Sequence, residues 1–176
     1  RAQDMVARMI RNGINSPRSS SCGRLFDAVA ALLGLAQTIT YEGQAAVRLE
    51  AIQGKEEEEG YRCPVDAEVA PAILDTAELF SQVYTDWARG VPPEAISRRF
   101  HLGLCRGLAQ LVRLLGQRTG LRQVALSGGV MQNETMSTVL PAELERLGYR
   151  PLHHTLLPPN DACISLGQVV YARSFA

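Results

Sequence analysis

Gln123-Val-Ala-Leu-Ser-Gly-Gly-Val-Met-Gln-Asn133 runs from a short apolar strand through two adjacent glycines to the start of a helix. Val124, Ala125 and Leu126 have the makeup of a buried strand, while Gly128-Gly129 lets the backbone turn sharply and leaves a flat ligand room against main chain. Asn133 presents a side-chain amide at the mouth of that turn. Free N–H groups and the positive end of a helix dipole converge at such a corner, which suits a nucleotide. The pattern lacks the third glycine of the dinucleotide fingerprint and the Gly-Lys-Ser/Thr of a phosphate-cradling loop, so on local grounds it also reads as an ordinary strand-to-helix turn.

Leu157-Pro-Pro-Asn-Asp161 precedes a second such corner. The paired prolines hold an extended entry, which places Asp161 at the start of a helix whose apolar residues are Ile164, Leu166, Val169 and Val170. A carboxylate there caps the helix or meets a metal or ligand, and the two roles are compatible. A third stretch, Ser19-Ser-Ser-Cys-Gly-Arg-Leu-Phe-Asp27 onward, carries Leu25, Ala28, Val29, Leu32 and Leu33 at helical spacing, with serines to cap it and Gly34 to end it. Gly23 and Asp27 are one turn apart on one face of this helix. Glycine there admits a ligand or another backbone, and the carboxylate can accept the two hydroxyls of a ribose; helix packing and a solvated Asp explain the same residues.

Taken in order, Ser-Ser-Cys-Gly-Arg-Leu-Phe-Asp27, Tyr41-Glu-Gly-Gln44, Arg99-Phe-His101, Ser127-Gly-Gly-Val-Met-Gln-Asn133 and Pro158-Pro-Asn-Asp161 are far more specific than any one of them. From about Ser19 to the end, the chain resembles the C-terminal part of the hydrogenase-maturation carbamoyltransferases of the HypF type. More broadly it is similar to the TsaD-type enzymes of tRNA modification. Tyr-Glu-Gly-Gln and Arg-Phe-His favour the hydrogenase-maturation branch over the tRNA branch, which reads Tyr-Pro-Gly-Gly at the former place.

The resemblance implies an α/β, actin/sugar-kinase-like lobe, helix-rich with a small sheet. It implies that Gly23, Asp27, Glu42, Gly43 and Gln44 line the ribose and phosphate side of a nucleotide, with Gly128, Gly129 and Asn133 on its other side. Asp161 would be the metal-binding carboxylate, for zinc or iron. The family's other ligands are a His-x-x-x-His pair in the opposite lobe, and His101, His153 and His154 form no such pair, so the metal set within this chain is incomplete. The implied reaction is carbamoyl transfer from carbamoyl-adenylate, itself formed with ATP elsewhere in the enzyme, to the C-terminal cysteine of a HypE-type partner, toward the cyanide ligands of [NiFe] hydrogenase. The nucleophile then belongs to the partner. Asp161-Ala-Cys-Ile stands where the family reads Asp-Gly-Gly-Ile, and the resemblance implies that side chains in place of glycine would crowd the phosphate side. An antibiotic O-carbamoyltransferase, the tRNA enzyme, or a nucleotide-binding lobe without chemistry are the alternative readings.

Relatives of this type are much longer, and a 176-residue chain opening on Arg1 is expected to be the C-terminal part of a TsaD-like domain, residues 1–176 of a larger enzyme with further domains upstream. One sizeable core fits this length. Lys+Arg and Asp+Glu are 18 each, so no basic field gathers nucleic acid. Cys22, Cys63, Cys105 and Cys163 form no Cys-x-x-Cys pair and read as reduced, cytoplasmic thiols. Within these 176 residues no charged-then-apolar leader and no run of eighteen apolar residues appears, which says nothing of any segment upstream.

Periodicity predicts helices near 2–12, 22–34, 43–53, 75–89, 93–118, 133–147 and 162–173, and strands near 123–127 and 149–154. Pro141 is expected to kink or split the helix that contains it. The long helix opening at Pro92-Pro93 has Ile96, Phe100, Leu104, Leu108, Leu111 and Leu115 as its buried stripe, His101 as a packed, hydrogen-bonded neighbour or a substrate contact, and Trp87 before it reads as core. His153 and His154 alternate along a strand, so at most one faces a cleft. Glu56 to Glu59 reads as a solvated run.

Overall fold

The computed structural model describes residues 2–55 and 59–175. The acidic run at Glu56–Glu58 lies outside them. Seven helices and four short strands follow in chain order among these residues: α1 Ala2–Arg11, α2 Cys22–Leu32, α3 Gln44–Ala51, β1 Val65–Asp66, β2 Ile73–Leu74, α4 Thr76–Ala88, α5 Pro93–Thr119, β3 Gln123–Leu126, α6 Glu134–Arg146, β4 Arg150–His153 and α7 Ile164–Arg173. One-turn 3₁₀ segments, Gly129–Gln132 and Asp161–Cys163, introduce α6 and α7.

The long helix α5 is the axis of the molecule. Pro93 opens it, where a missing N–H costs nothing, and Gly120 closes it in the left-handed conformation at φ 76°. Phe26 and Val29 of α2, Leu49 of α3, Leu79 and Val83 of α4, and Met136, Leu140 and Leu144 of α6 bury against Ile96, Phe100 and Leu104 of α5. Phe26 meets Phe100 edge-on at 5.1 Å, the geometry favoured by ring quadrupoles. β3 and β4 pair in parallel, with Gln123 opposite Arg150 and Leu126 opposite His153. Asp75 caps α4 by accepting the N–H groups of Ala77 and Glu78.

Three expectations need correction, and one element was not foreseen. Of the two outcomes expected at Pro141, a kink or a split, the split does not occur: α6 runs from Glu134 to Arg146, with Leu140, Pro141 and Leu144 among its buried residues. The antiparallel pair β1–β2 is unannounced in sequence, since two residues per strand show no alternation. Trp87 is 45 % exposed and leans on Tyr84 rather than entering the core. Leu115 is 43 % exposed, because the Tyr149 ring lies so close to Gly116 that a Cβ there would collide with it, and the buried face of α5 passes through Ala109 and Gly116 instead.

Exposed apolar side chains gather on two helices. Met5, Val6 and Ile10 of α1 and Ile164, Val169, Val170 and Tyr171 of α7 all stand more than half exposed. Among the described residues no helix is long and apolar enough to cross a membrane.

Candidate nucleotide-binding cleft

The turn after β3 forms one wall of a cleft. Gly128 adopts φ 102°, a conformation only glycine takes without strain, and a single 3₁₀ turn then delivers the chain to Asn133. Asn133 Oδ1 accepts the Met136 N–H at 3.0 Å and so caps α6, while its amide nitrogen lies 3.1 Å from His101 Nε2. Since an amide nitrogen only donates, His101 Nε2 accepts, and its Nδ1–H donates to the Ser97 carbonyl at 2.7 Å. Ser97 Oγ in turn donates to the Leu49 carbonyl at 2.6 Å. This buried chain couples α3, α5 and the cap of α6. Burial holds the His101 imidazole neutral, its pKa lowered to about 4 against an opposing pull from the Ser97 carbonyl.

The opposite wall is the turn into α3. Gly43 occupies the left-handed region at φ 80°, and Gln44 turns inward, its Oε1 accepting the Thr40 N–H at 2.8 Å. Between the walls lies a cavity of about 140 Å³ lined by Phe26, Glu42, Gly43, Ala46, Val47, Glu50, Gly129, Val130, Gln132 and Asn133. Its lining combines apolar side chains, two glycines and polar groups, the makeup of a surface that takes a flat base on one side and hydrogen-bonds its edge on the other. A wider groove of about 640 Å³ continues from it past Val47 and Glu50 toward Arg98, Thr135 and Thr138. Glu50 bridges the two by accepting the Glu134 N–H at 2.6 Å.

The structure thus brings Glu42, Gly43, Gly129 and Asn133 to one cleft. Gly23, Asp27, Gln44 and Gly128 do not line it. Asp27 pairs with Arg24 at 2.9 Å on the helix behind Phe26, and the buried amides of Gln44 and Asn133 are engaged within the protein. Asp161 is exposed at the start of its 3₁₀ turn, and the cap there is Asn160, whose Oδ1 accepts the Ala162 N–H at 3.1 Å. Its loop is tied to the glycine turn, since Gly128 N–H donates to the Pro159 carbonyl at 2.6 Å. Among the described residues no three His, Cys, Asp or Glu side chains gather to hold a metal, and Asp161 offers one carboxylate.

Burial pushes the thiols of Cys22, Cys63 and Cys105 up to about 11, 12 and 12, which keeps them protonated and poorly nucleophilic at neutral pH. Two pairings escape a reading of the sequence. The His101–Asn133 bond joins positions 32 residues apart, and Ser127 Oγ lies 2.9 Å from His154 Nε2 across 27. The second follows from the strand register, which neither strand reveals alone.

Residues 1–168 match the family model described as carbamoyltransferase, Kae1-like domain, second subdomain. Carbamoyltransferase HypF of Rhodobacter capsulatus is 36 % identical over 97 % of this chain and 22 % of its own length. Its counterpart in a Synechocystis strain is 35 % identical over 88 % of this chain and 20 % of its own. A crystal structure of full-length HypF in the phosphate- and nucleotide-bound form superposes with a TM-score of 0.91 at 34 % identity, over 99 % of this chain and 23 % of that one. The chain spans about a fifth of the length of these relatives. The helix-rich α/β lobe expected from the sequence is the fold found.

Proposed function

We propose a carbamoyltransferase function on the premise that this chain belongs to the Kae1-like carbamoyltransferase family, whose second subdomain it matches over residues 1–168. In this reading it is the nucleotide-holding lobe of a HypF-type enzyme, residues 1–176 forming the C-terminal part of its TsaD-like domain. The observation that carries the reading is the meeting of Glu42, Gly43, Gly129 and Asn133 in one cleft from two separate turns of the chain. The nucleotide-bound state of the full-length HypF structure supports the same ligand class.

The lobe holds carbamoyl-adenylate, derived from ATP, with the base against Phe26 and Val130, the main chain of Gly43 and Gly129 close to its sugar and phosphate, and Asp27 released from Arg24 to meet the ribose. Gln44 and Gly128 shape the turns around it, and Gly23 in the first turn of α2 leaves room beside the ribose. The mixed anhydride is then attacked by the C-terminal cysteine of a HypE-type partner, in maturation of [NiFe] hydrogenase, and AMP leaves. The thiols of Cys22, Cys63 and Cys105, held protonated, do not compete as nucleophiles. Asp161 contributes one carboxylate to a divalent metal completed by histidines outside this chain. The exposed apolar faces of α1 and α7 are covered by upstream parts of the same cytoplasmic enzyme. Zero net charge favours a protein acceptor over nucleic acid.

The test is transfer itself. The enzyme carrying this chain, given carbamoyl-adenylate and a HypE-type partner, is expected to place one carbamoyl group on the partner's C-terminal cysteine, read by intact-mass and peptide mass spectrometry. Tight nucleotide binding with no carbamoyl on any acceptor would instead identify a binding lobe without chemistry.

A further inference from the structure

We propose that His154, oriented by Ser127, is the base that takes the proton of the acceptor thiol; this deepens the carbamoyl-transfer reading and rests on it. β3 and β4 are parallel neighbours with Leu126 opposite His153, so the residue following each strand, Ser127 or His154, emerges at one carboxyl-terminal edge. There Ser127 Oγ and His154 Nε2 lie 2.9 Å apart, both residues exposed. Ligands of parallel α/β sheets sit outside this edge. The two segments leaving it are the two that matter here: β3 continues into the glycine turn that walls the cleft, and β4 continues into the loop that ends at Asp161. They are joined by the hydrogen bond from Gly128 to Pro159. The Ser–His pair therefore stands at the fork between the nucleotide wall and the Asp161 loop.

Transfer forms a bond between the thiol sulfur and the carbamoyl carbon and breaks the bond from that carbon to the phosphate oxygen. The electron pair of the broken bond leaves on AMP, and the thiol proton needs an acceptor. In the tautomer that carries its proton on Nε2 and donates it to Ser127 Oγ, His154 Nδ1 keeps its lone pair and takes the thiol proton, later releasing it to water. Among the histidines, His101 is fully buried with both ring nitrogens engaged. His153 alternates to the opposite face of β4. His154 is the imidazole left at the fork.

The experiment uses the full enzyme, carbamoyl-adenylate as donor and a peptide ending in cysteine as acceptor. His154→Ala is expected to lower kcat by about 100- to 10,000-fold, the range of general-base catalysis, with the affinity for AMP unchanged. Added imidazole restores part of the rate, and the loss shrinks for a small acidic thiol already ionised at the assay pH, whose proton needs no base. His154→Gln keeps a hydrogen-bonding side chain of similar reach without a basic nitrogen and shows the same loss. Ser127→Ala lowers kcat less, because it loosens the ring without removing the base. An unchanged kcat in His154→Ala, or a loss relieved neither by imidazole nor by the acidic thiol, overturns the assignment. A wild-type enzyme that binds AMP but carbamoylates no thiol contradicts the carbamoyl-transfer reading instead, which separates the two failures.

Discussion

Gly129→Val is expected to weaken AMP binding by about 100-fold or more, equivalent to about 2.7 kcal/mol, while leaving the melting temperature of the protein within error of wild type. The separation of the two effects follows from the space around this residue. A Cβ added at Gly129 meets no atom within 4 Å, and the backbone there has no positive φ, so nothing in the fold calls for glycine. The open space is the cleft itself, and a branched side chain would fill the volume in which base or sugar approaches main chain. Gly129→Ala should fall between the two. Gly128 differs, because at φ 102° any side chain strains the turn whether or not a ligand is present. Calorimetric titration and thermal melts on the same samples make the comparison. A lower melting temperature with unchanged affinity would assign Gly129 to the fold and remove the cleft as the nucleotide site.

Acidification from pH 7 to pH 5 should cost the fold about 2 kcal/mol through His101 alone. The sign follows from the shift. Burial lowers the folded pKa from 6.5 to about 4, so between these values the unfolded chain binds a proton that the folded chain refuses. The contribution is intact above about pH 6.5, declines as pH falls through that value, and is fully lost below about pH 4. A proton on Nε2 would also face the donor nitrogen of Asn133, turning a hydrogen bond into an opposition of two donors. Urea unfolding across this range, beside His101→Gln, isolates the effect: the variant lacks this titration, and its stability should fall less steeply with acid. Equal slopes in the two proteins would mean that His101 protonates freely in the folded state.

Both results bear on how much of this molecule is legible in its sequence. The seven helices could be placed to within a few residues because prolines, glycines and apolar spacing mark their ends: Pro93 and Gly120 bound α5, and Gly34 follows α2. The hairpin β1–β2 could not, since two-residue strands carry no period. Trp87 and Leu115 show a different limit, because composition favours burial of both, and only the partner surface decides it; Tyr149 over Gly116 turns the packed face away from Leu115.

At the site, the two glycine turns could be recognised singly, but their meeting at one cleft depends on α2, α3 and α6 packing around α5. The inward turn of Gln44 and the double duty of Asn133, helix cap and partner of His101, are likewise tertiary facts. Asp161 was an ambiguous residue in sequence for a local reason. Two side chains of Asn160-Asp161 could have capped the turn, and the geometry gives that role to Asn160.

The nucleotide lies between the α3 turn and the glycine turn in the proposed enzyme. Photolabelling of the full enzyme with an azido-adenosine nucleotide, followed by peptide mapping of the adduct, tests this directly. Adducts on the segments 41–50 and 128–133, competed by unlabelled AMP and diminished in Gly129→Val, are the predicted result. Saturable, competable adducts confined to other segments of the enzyme would contradict it.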